Sequence, residues 1–539
     1  MVLPKSEYIQ LKWTANYWQT QHARAVEREA ALKEEVEHYK AQVRDLRQRL
    51  YGKKSEQSSS VTSGQEPKAR GKRGQQEGRS GHGRTSRSHL PMVEEHWDLD
   101  EEHKCCSRCG QPFIPFARTE DSEIVEVCVR AHIRKIRRHQ YLKGCDCEGL
   151  PGIISAAPAP RLIQKSAIGV SIWAYVLIGK YLYSQPMHRL CTELGHWGWP
   201  VAQGTLTDGF NKLAPLFTPL VRAMYEKQMS ERLFHGDETG WKVFEPIEGK
   251  VGHRWYLWVT QSPSVVFYRM APGRGADVPK RHFAELASEC TEVILVCDRY
   301  VASKCLAEDH GVIVLAFCWA HVRRDFLDTA RRCPLLEAWM LGWVEDIGEL
   351  YRLNAHRLEV WDETRSLAEQ PLAFLARQEA LREKLAQMQD RCDESLGDNE
   401  LPGAQQTVLK SLKNHWQGLT VFVDYPQVAM DNNTAERSVR NPAVGRKNYY
   451  GSGSVWSAHF AAMMFTVLQT VVLWGLNPQH WLYAFLQACA ENARATPSDL
   501  SSFLPWDMSQ ERKEQLARPL PVAWQSPMPP PPPEIIDTS

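Results

Sequence analysis

Three carboxylates and one group of thiols carry the chemistry that this chain could do. Asp237 sits in Leu233-Phe234-His235-Gly236-Asp237-Glu238-Thr239, and Asp298 follows the apolar run Val293-Ile294-Leu295-Val296-Cys297. Glu436 lies in Asp431-Asn432-Asn433-Thr434-Ala435-Glu436-Arg437. Carboxylates held side by side repel one another unless a hard divalent cation lies between them, so a converging pair reads as a Mg2+ (or Mn2+) site. A third acid would serve a second ion. Arg437, Arg440, Arg446 and Lys447 follow closely, and such bases hold phosphates against the acids. That combination suits phosphoryl transfer. Taken singly, each acid has a plainer reading, as a turn residue after a strand or, for Glu436, as an exposed helix charge paired to Arg440.

The thiols suggest a different metal. Cys106-x2-Cys109 is a turn-sized pair, with Gly110 relieving the backbone behind it, and Cys145-x-Cys147 can complete four-thiolate coordination. Such a closed set predicts structural Zn2+. Cys105 could substitute for Cys106, and unliganded thiols are the alternative. Arg134, Lys135, Arg137 and Arg138, between the two pairs, would be displayed to a polyanion. Cys318 and His321 also have ligand-like spacing, but no partner pair of matching spacing lies nearby. The expected reading is that Cys318 and Trp319 pack, while His321, Arg323 and Arg324 face the polyanion or order a carboxylate.

The elements around the acids decide which reading holds. Residues 233–243, 253–260 and 264–270 alternate like antiparallel strands, with Ser262-Pro263 between the last two. A helix is expected over Asp277 to Leu286, then a sheet-centre strand over 293–297, a helix, and another apolar strand over Val312 to Phe317. Three antiparallel strands followed by alternating helix and strand is the order of an α/β RNase-H-like fold. In it, an acid on the first strand and an acid ending the fourth lie side by side. A helix starting near Asp431, with Asn or Thr caps, would turn Glu436 inward.

At 539 residues the chain needs several folding units. Leu32, Val36, Tyr39, Val43, Leu46 and Leu50 recur at steps of four and three, a heptad seam ending at Gly52. It predicts a coiled-coil partner, most simply a second copy, or else a helix packed on its own domain. Residues 52–92 are a basic linker or arm: from Gly52 to Leu90 nine Lys or Arg stand against three Glu, although the net charge is only +1. Residues 93–155 are the expected zinc-binding domain, with strand alternation in Glu123 to Val129. Residues 156–230 read as helical, with Ile168, Ile172, Tyr175, Val176, Leu177 and Tyr181 in the core and Asp208 as a cap or surface group. The catalytic domain is expected at 231–329 and 426–456, C-terminal helices at 457–505, and a Pro-rich disordered tail at 506–539. No signal peptide is visible, the apolar stretch from Phe460 to Leu476 reads as a buried helix, and fourteen dispersed Cys suit a reducing cytosol.

Several words in this order resemble the IS66 insertion-sequence family of transposases. They are Tyr51-Gly52-Lys53-Lys54-Ser55-Glu56, His89-Leu90-Pro91, Cys106-x2-Cys109-Gly110, Asp237-Glu238-Thr239 and Asp298-Arg299-Tyr300. Cys318-Trp319-Ala320-His321-Val322-Arg323-Arg324 and Asp431 to Glu436 with Gly445-Arg446-Lys447-Asn448 complete the set. The resemblance implies a DDE domain with Asp237, Asp298 and Glu436 as the catalytic, Mg2+-binding acids, and a helical insertion before the third, which residues 330–425 fit. It implies phosphodiester hydrolysis at mobile-element ends and strand transfer into target DNA. The partners implied are double-stranded DNA, a homodimer or higher oligomer and accessory transposition proteins, with no membrane, in the bacterial cytoplasm at the nucleoid. Arg134, Lys135, Arg137, Arg138, His321, Arg323, Arg324, Arg437, Arg440, Arg446 and Lys447 are then the expected DNA contacts. Two rivals are a zinc-containing DNA-binding regulator without catalysis, and an RNase-H-like nuclease that cuts without joining.

Overall fold

A computed structural model describes residues 4–51, 98, 100, 103–105, 108–114, 129, 131–142, 153–155, 157–287, 290–309 and 311–519. Two compact units make up the chain, one of residues 57–130 and one of residues 1–56 with 131–539. The division falls inside the expected 93–155 domain. Ala131 belongs with the larger unit because its N–H donates to the Trp197 carbonyl (3.3 Å).

In the smaller unit, Cys105 bridges Pro112, the Phe113 N–H donates to the Lys104 carbonyl (2.7 Å), and Gly110 turns the chain at φ 74°. Cys105 and Cys109 are exposed on this turn. Cys106, Cys145 and Cys147 lie outside the described residues, as does most of the expected strand over 123–129, whose described residue, Val129, has no strand pairing.

The larger unit begins with α1 (Lys5–Tyr51), longer than the heptad seam. Leu32, Val36, Tyr39 and Val43 of the seam are exposed, as are Trp13 and Trp18 before it. Arg134, Lys135, Arg137 and Arg138 are exposed in irregular backbone ahead of a small antiparallel pair, β1 (Gln140–Leu142) and β2 (Ile153–Ser155). Then come α2 (Val170–Tyr181), α3 (Met187–His196) and α4 (Gln203–Met229). Val176, Leu177 and Tyr181 are fully buried, and Ile168, Ile172 and Tyr175 pack against the same core.

The central sheet has five strands: β3 (Leu233–Lys242), β4 (Arg254–Gln261), β5 (Val266–Ala271), β6 (Val293–Cys297) and β7 (Ile313–Phe317). Their spatial order is β5-β4-β3-β6-β7, with β3, β4 and β5 antiparallel and β3, β6 and β7 parallel. All of β6 is buried, as its unbroken apolar run predicts for a strand covered on both faces. Helix α5 spans only Asp277–His282, not to Leu286, because Phe283 folds under as a buried residue edge-on to Phe234 (5.1 Å). Helix α6 (Val301–Asp309) joins β6 to β7, and α7 (Trp319–Arg332) leaves β7.

The insertion is helical, as expected: α8 (Glu337–Leu358), α9 (Leu372–Gly397), α10 (Gly403–Asn414), and the single turns α11 (Trp416–Leu419) and α12 (Val421–Asp424). Helix α13 (Asn433–Tyr449) then returns to the sheet. Helix α14 (Val455–Leu473) is long and apolar enough to cross a membrane, but it is a core helix here. Its Thr470 and Thr466 accept from the backbone N–H groups of Val266 (3.1 Å) and Tyr268 (2.9 Å), which satisfies the outer edge of β5. Helices α15 (Pro478–Glu491) and α16 (Gln510–Ala517) close the described chain. Ordered structure therefore passes the expected end at 505, because Leu516 is fully buried and its carbonyl accepts from Asn477.

Candidate active site

Register places the first two acids. Leu233, Phe234 and His235 of β3 pair with Ile294, Leu295 and Val296 of β6, so continuing the register brings Asp237 level with Asp298. Neighbouring strands lie about 4.8 Å apart. Pairing stops just before these residues, and β3 keeps only β4 as a partner beyond His235. Between β6 and β7, Cys297 pairs with Phe317, which sets Cys318 level with Asp298. Asp237, just past the point where β3 loses its parallel partner, and Asp298 and Cys318, just past the ends of β6 and β7, thus line up at the C-terminal edge of the parallel part of the sheet, where an open α/β sheet offers a site.

The segment before α13 crosses these ends. The Trp319 N–H donates to the Met430 carbonyl (2.9 Å), and the Asn432 N–H donates to the Cys318 sulfur (3.2 Å). Asn432 is buried, its amide donates to the Gly236 carbonyl (2.7 Å), and its Oδ1 lies 3.4 Å from His235 Nδ1. The sequence predicts Asn or Thr caps at this helix start, and Asn432 does stand at the cap position. Its side chain makes no cap bond; Asp431 instead accepts from the Asn433 N–H (3.1 Å), leaving Asn432 to tie α13 to β3. One turn on, Glu436 faces His321 of α7 (Nε2 to Oε1 3.7 Å) and not Arg440.

The acids feel one another. Burial first, then the charges of Glu238, Asp298 and Glu436, push the Asp237 carboxyl up to about 7, although it accepts from the Glu238 N–H (2.8 Å). Burial also raises Glu238, against the opposing pull of Arg274, whose Nε donates to it (2.6 Å). Arg274 in turn lies over the Tyr300 ring (3.8 Å), and the Tyr300 N–H donates to Asp298 (3.1 Å). Neither Glu238 nor Arg274 was marked by sequence reasoning; the basic, glycine-containing loop at 273–275 was the available signal.

Cys318 and Trp319 are fully buried, as expected for packing residues. His321 is half-buried, and burial, then Arg324, lowers its basicity while Glu436 opposes them. The ligand atoms of Cys318, His321 and Glu436 all lie within 4.8 Å of one another. Glu436 Oε1 and His321 Nδ1 are buried without a hydrogen-bond partner. The spacing of Cys318 and His321 hinted at this cluster, but its third member lies beyond the insertion.

A groove of about 760 Å3 runs along the open side of β3, lined among others by Glu238, Lys242, Arg254, Tyr256, Arg274 and Arg446. Arg324, Arg437, Arg440 and Lys447 are exposed and Arg323 is partly exposed. Arg446 is engaged by the fold itself, donating to Thr239 Oγ1 (3.2 Å) and to the Gly240 carbonyl.

The profile described as "Transposase IS66 family" matches residues 165–460. Three Sinorhizobium fredii proteins are similar over most of their length. Uncharacterized protein y4jD is 24% identical over 80% of this chain and 82% of its own. Uncharacterized protein y4qI is 26% identical over 79% and 77%, and y4hP is 24% identical over 75% and 73%. No solved structure matches. With more than half of its residues under that profile, and the site just described lying inside the matched span, the chain belongs to the IS66 family of transposases.

Proposed function

We propose that the chain is a DDE transposase whose sheet is RNase-H-like and whose Asp237, Asp298 and Glu436 hold Mg2+ or Mn2+. The observation that carries this reading is the strand register that sets Asp237 level with Asp298, with α13 and its Glu436 tied to the same sheet end through Asn432 and the Gly236 carbonyl. The donor set of the three acids is all oxygen, as hard dications require, and Glu436 offers a buried oxygen with no protein partner. Dications held there would supply charge neutralisation at attacking and leaving oxygens of a phosphodiester.

The chain's own residues do the rest. Asp237 and Asp298, level on adjacent strands, fix the spacing of the oxygen donors. Asn432 holds α13 so that Glu436 closes the set from above. Lys242 and Arg254 in the groove, with exposed Arg437, Arg440 and Lys447, bind the phosphates of double-stranded DNA. The reaction is phosphodiester hydrolysis at element ends, followed by attack of the freed 3′ hydroxyl on target DNA. Two ends must be brought together, which suits a homodimer or higher oligomer assembled through the exposed seam of α1 and assisted by accessory proteins. Cys106, Cys109, Cys145 and Cys147 remain the proposed Zn2+ ligands, and Arg134, Lys135, Arg137 and Arg138 the proposed further DNA contacts.

Labelled duplexes carrying the gene's flanking DNA test this in Mg2+ or Mn2+, beside Asp298→Asn. Nicking at an element end plus joined products, both absent in the variant, are expected. Cleavage without joining would make the protein a nuclease, and specific binding without chemistry in either protein, even with accessory proteins, would make it a regulator.

A further inference from the structure

Beside the acids lies a second donor set of different chemistry. Cys318, His321 and Glu436 bring a sulfur, an imidazole nitrogen and a carboxylate oxygen within 4.8 Å of one another. Nothing among the described residues uses these atoms fully. Glu436 Oε1 is buried without a hydrogen bond although the side chain keeps 33% of its surface exposed, and His321 Nδ1 is likewise buried and unpartnered. Cys318 is fully buried just before α7, and its sulfur accepts from the backbone N–H of Asn432 (3.2 Å). That bond orients the sulfur, an outer-shell contact of the kind that supports a metal-bound cysteine. An ion among the three groups would give Glu436 Oε1 the partner it lacks.

We propose that Cys318, His321 and Glu436 form a thiolate-containing site for a zinc-class dication, and that the shared Glu436 sets this ion in competition with the magnesium-class ion of the acid triad. One thiolate and one imidazole select a borderline-soft ion over Mg2+, and three protein ligands leave a fourth position open. The competition has a simple origin. Asn432, one turn before Glu436, is tied to the Gly236 carbonyl next to Asp237, so an ion drawn to the Cys318 side takes charge from the oxygen-donor side and repels a second dication there. The binding half stands on the cluster alone, whereas the competition half rests on the acid triad proposed above. Free zinc would then act as a brake on the Mg2+-dependent reaction.

Cobalt(II) is the probe, because a cysteine ligand gives it a thiolate charge-transfer band. Metal-free full-length chain is titrated with Co2+ and bound metal per chain is measured, beside Cys318→Ser, His321→Ala and Asp298→Asn. Taking differences from the wild type removes any contribution of the cysteines near residues 105–147. Cys318→Ser and His321→Ala are expected to bind one equivalent fewer, the former with a weaker charge-transfer band, and Asp298→Asn to keep both. Excess Mg2+ should raise the Co2+ needed for half-saturation about tenfold in the wild type, within the usual range for coupled sites, and hardly at all in Asp298→Asn. Because Cys318 is buried, circular dichroism monitors its variant, and partly exposed His321→Ala decides if that variant fails to fold. Equal metal content in His321→Ala and wild type overturns the site. Binding that ignores Mg2+, in a protein whose Asp298→Asn variant has lost DNA cleavage, overturns the competition and leaves the acid triad standing. A wild type that neither cleaves nor responds to Mg2+ yet loses Co2+ in both cluster variants overturns the triad and leaves the cation site.

Discussion

Asp237→Asn in the metal-free protein turns the crowding of the acids into a measurable free energy. Burial and the neighbouring charges lift the Asp237 carboxyl from 3.8 to about 7. Between those values the folded chain holds a proton that the unfolded chain has released. Stability therefore falls as pH rises through that window and stays lowered above it. The full difference corresponds to at most ~4 kcal/mol. Solvent screening at a partly exposed site reduces this, so about 1–3 kcal/mol is expected. Asparagine keeps the shape and the oxygen that accepts from the Glu238 N–H, but it carries no charge. The variant should exceed the wild type in stability by that amount near ~pH 8 without metal, and match it near ~pH 4. Added Mg2+ should stabilise the wild type and reverse the order. Denaturant unfolding followed by tryptophan fluorescence, with chelator and then with Mg2+, reads both effects. A variant that is less stable than the wild type near ~pH 8 without metal, or a difference that does not change with pH, would refute the convergence of the acids.

The same carboxyl controls ion binding: below about pH 7 the Mg2+ needed for half-maximal cleavage should rise up to about tenfold per pH unit, levelling off above it, because a proton competes for Asp237. Asn432→Ala should destabilise the protein by about 1–3 kcal/mol and raise the Mg2+ requirement, since it frees α13 from the Gly236 carbonyl; calorimetry and a Mg2+ titration of cleavage check it. Gly451→Ala should lower the melting temperature, because at φ 143° its Cβ would fall 2.2 Å from the Lys242 carbonyl oxygen. Arg357→Met should cost about 2–5 kcal/mol and lower kcat more than it raises the KM for DNA, since it loosens the segment carrying Glu436 without touching the groove.

Much of the frame was legible because the signals were local. The unbroken apolar run of β6, the alternation of β3 to β5 and the position of each acid relative to its strand predicted the level pair Asp237 and Asp298, which the register supports. The errors were of range or of burial. Helix α5 stops at His282 because Phe283 is claimed by Phe234, a partner from β3. Helix α16 is polar enough to pass for tail and is held through one buried leucine. Asn432 stands at the cap position, but its tie to Gly236 was not legible, because before its neighbours are placed a polar residue ahead of a helix is a cap more often than a cross-link. The Cys318, His321 and Glu436 cluster was out of reach for the same reason: spacing arguments need ligands close in sequence, and the insertion separates the third from the first two.

That insertion raises a physical question, namely how a carboxylate delivered after a long helical excursion keeps ångström-scale placement. The answer lies in anchors at its far end. Arg357 of α8 is fully buried, and burial drives its guanidinium down to about 10. It donates to Gln378 of α9 (2.6 Å) and to the carbonyls of Phe422 (2.8 Å) and Val423 (3.0 Å) in α12. One side chain thus joins three of the inserted helices and fixes the chain a few residues before it recrosses the sheet. From there the Trp319 indole clasps the Leu419 carbonyl (2.7 Å), its backbone clasps Met430, and Cys318 and Gly236 clasp Asn432. Each of these bonds joins the returning segment to the end of a parallel strand or the start of the helix that follows one. Arg357 thus braces the insertion from within, whereas the four bonds at the sheet end hold the chain leading to Glu436 beside β3 and β7 whatever the length of the helices between.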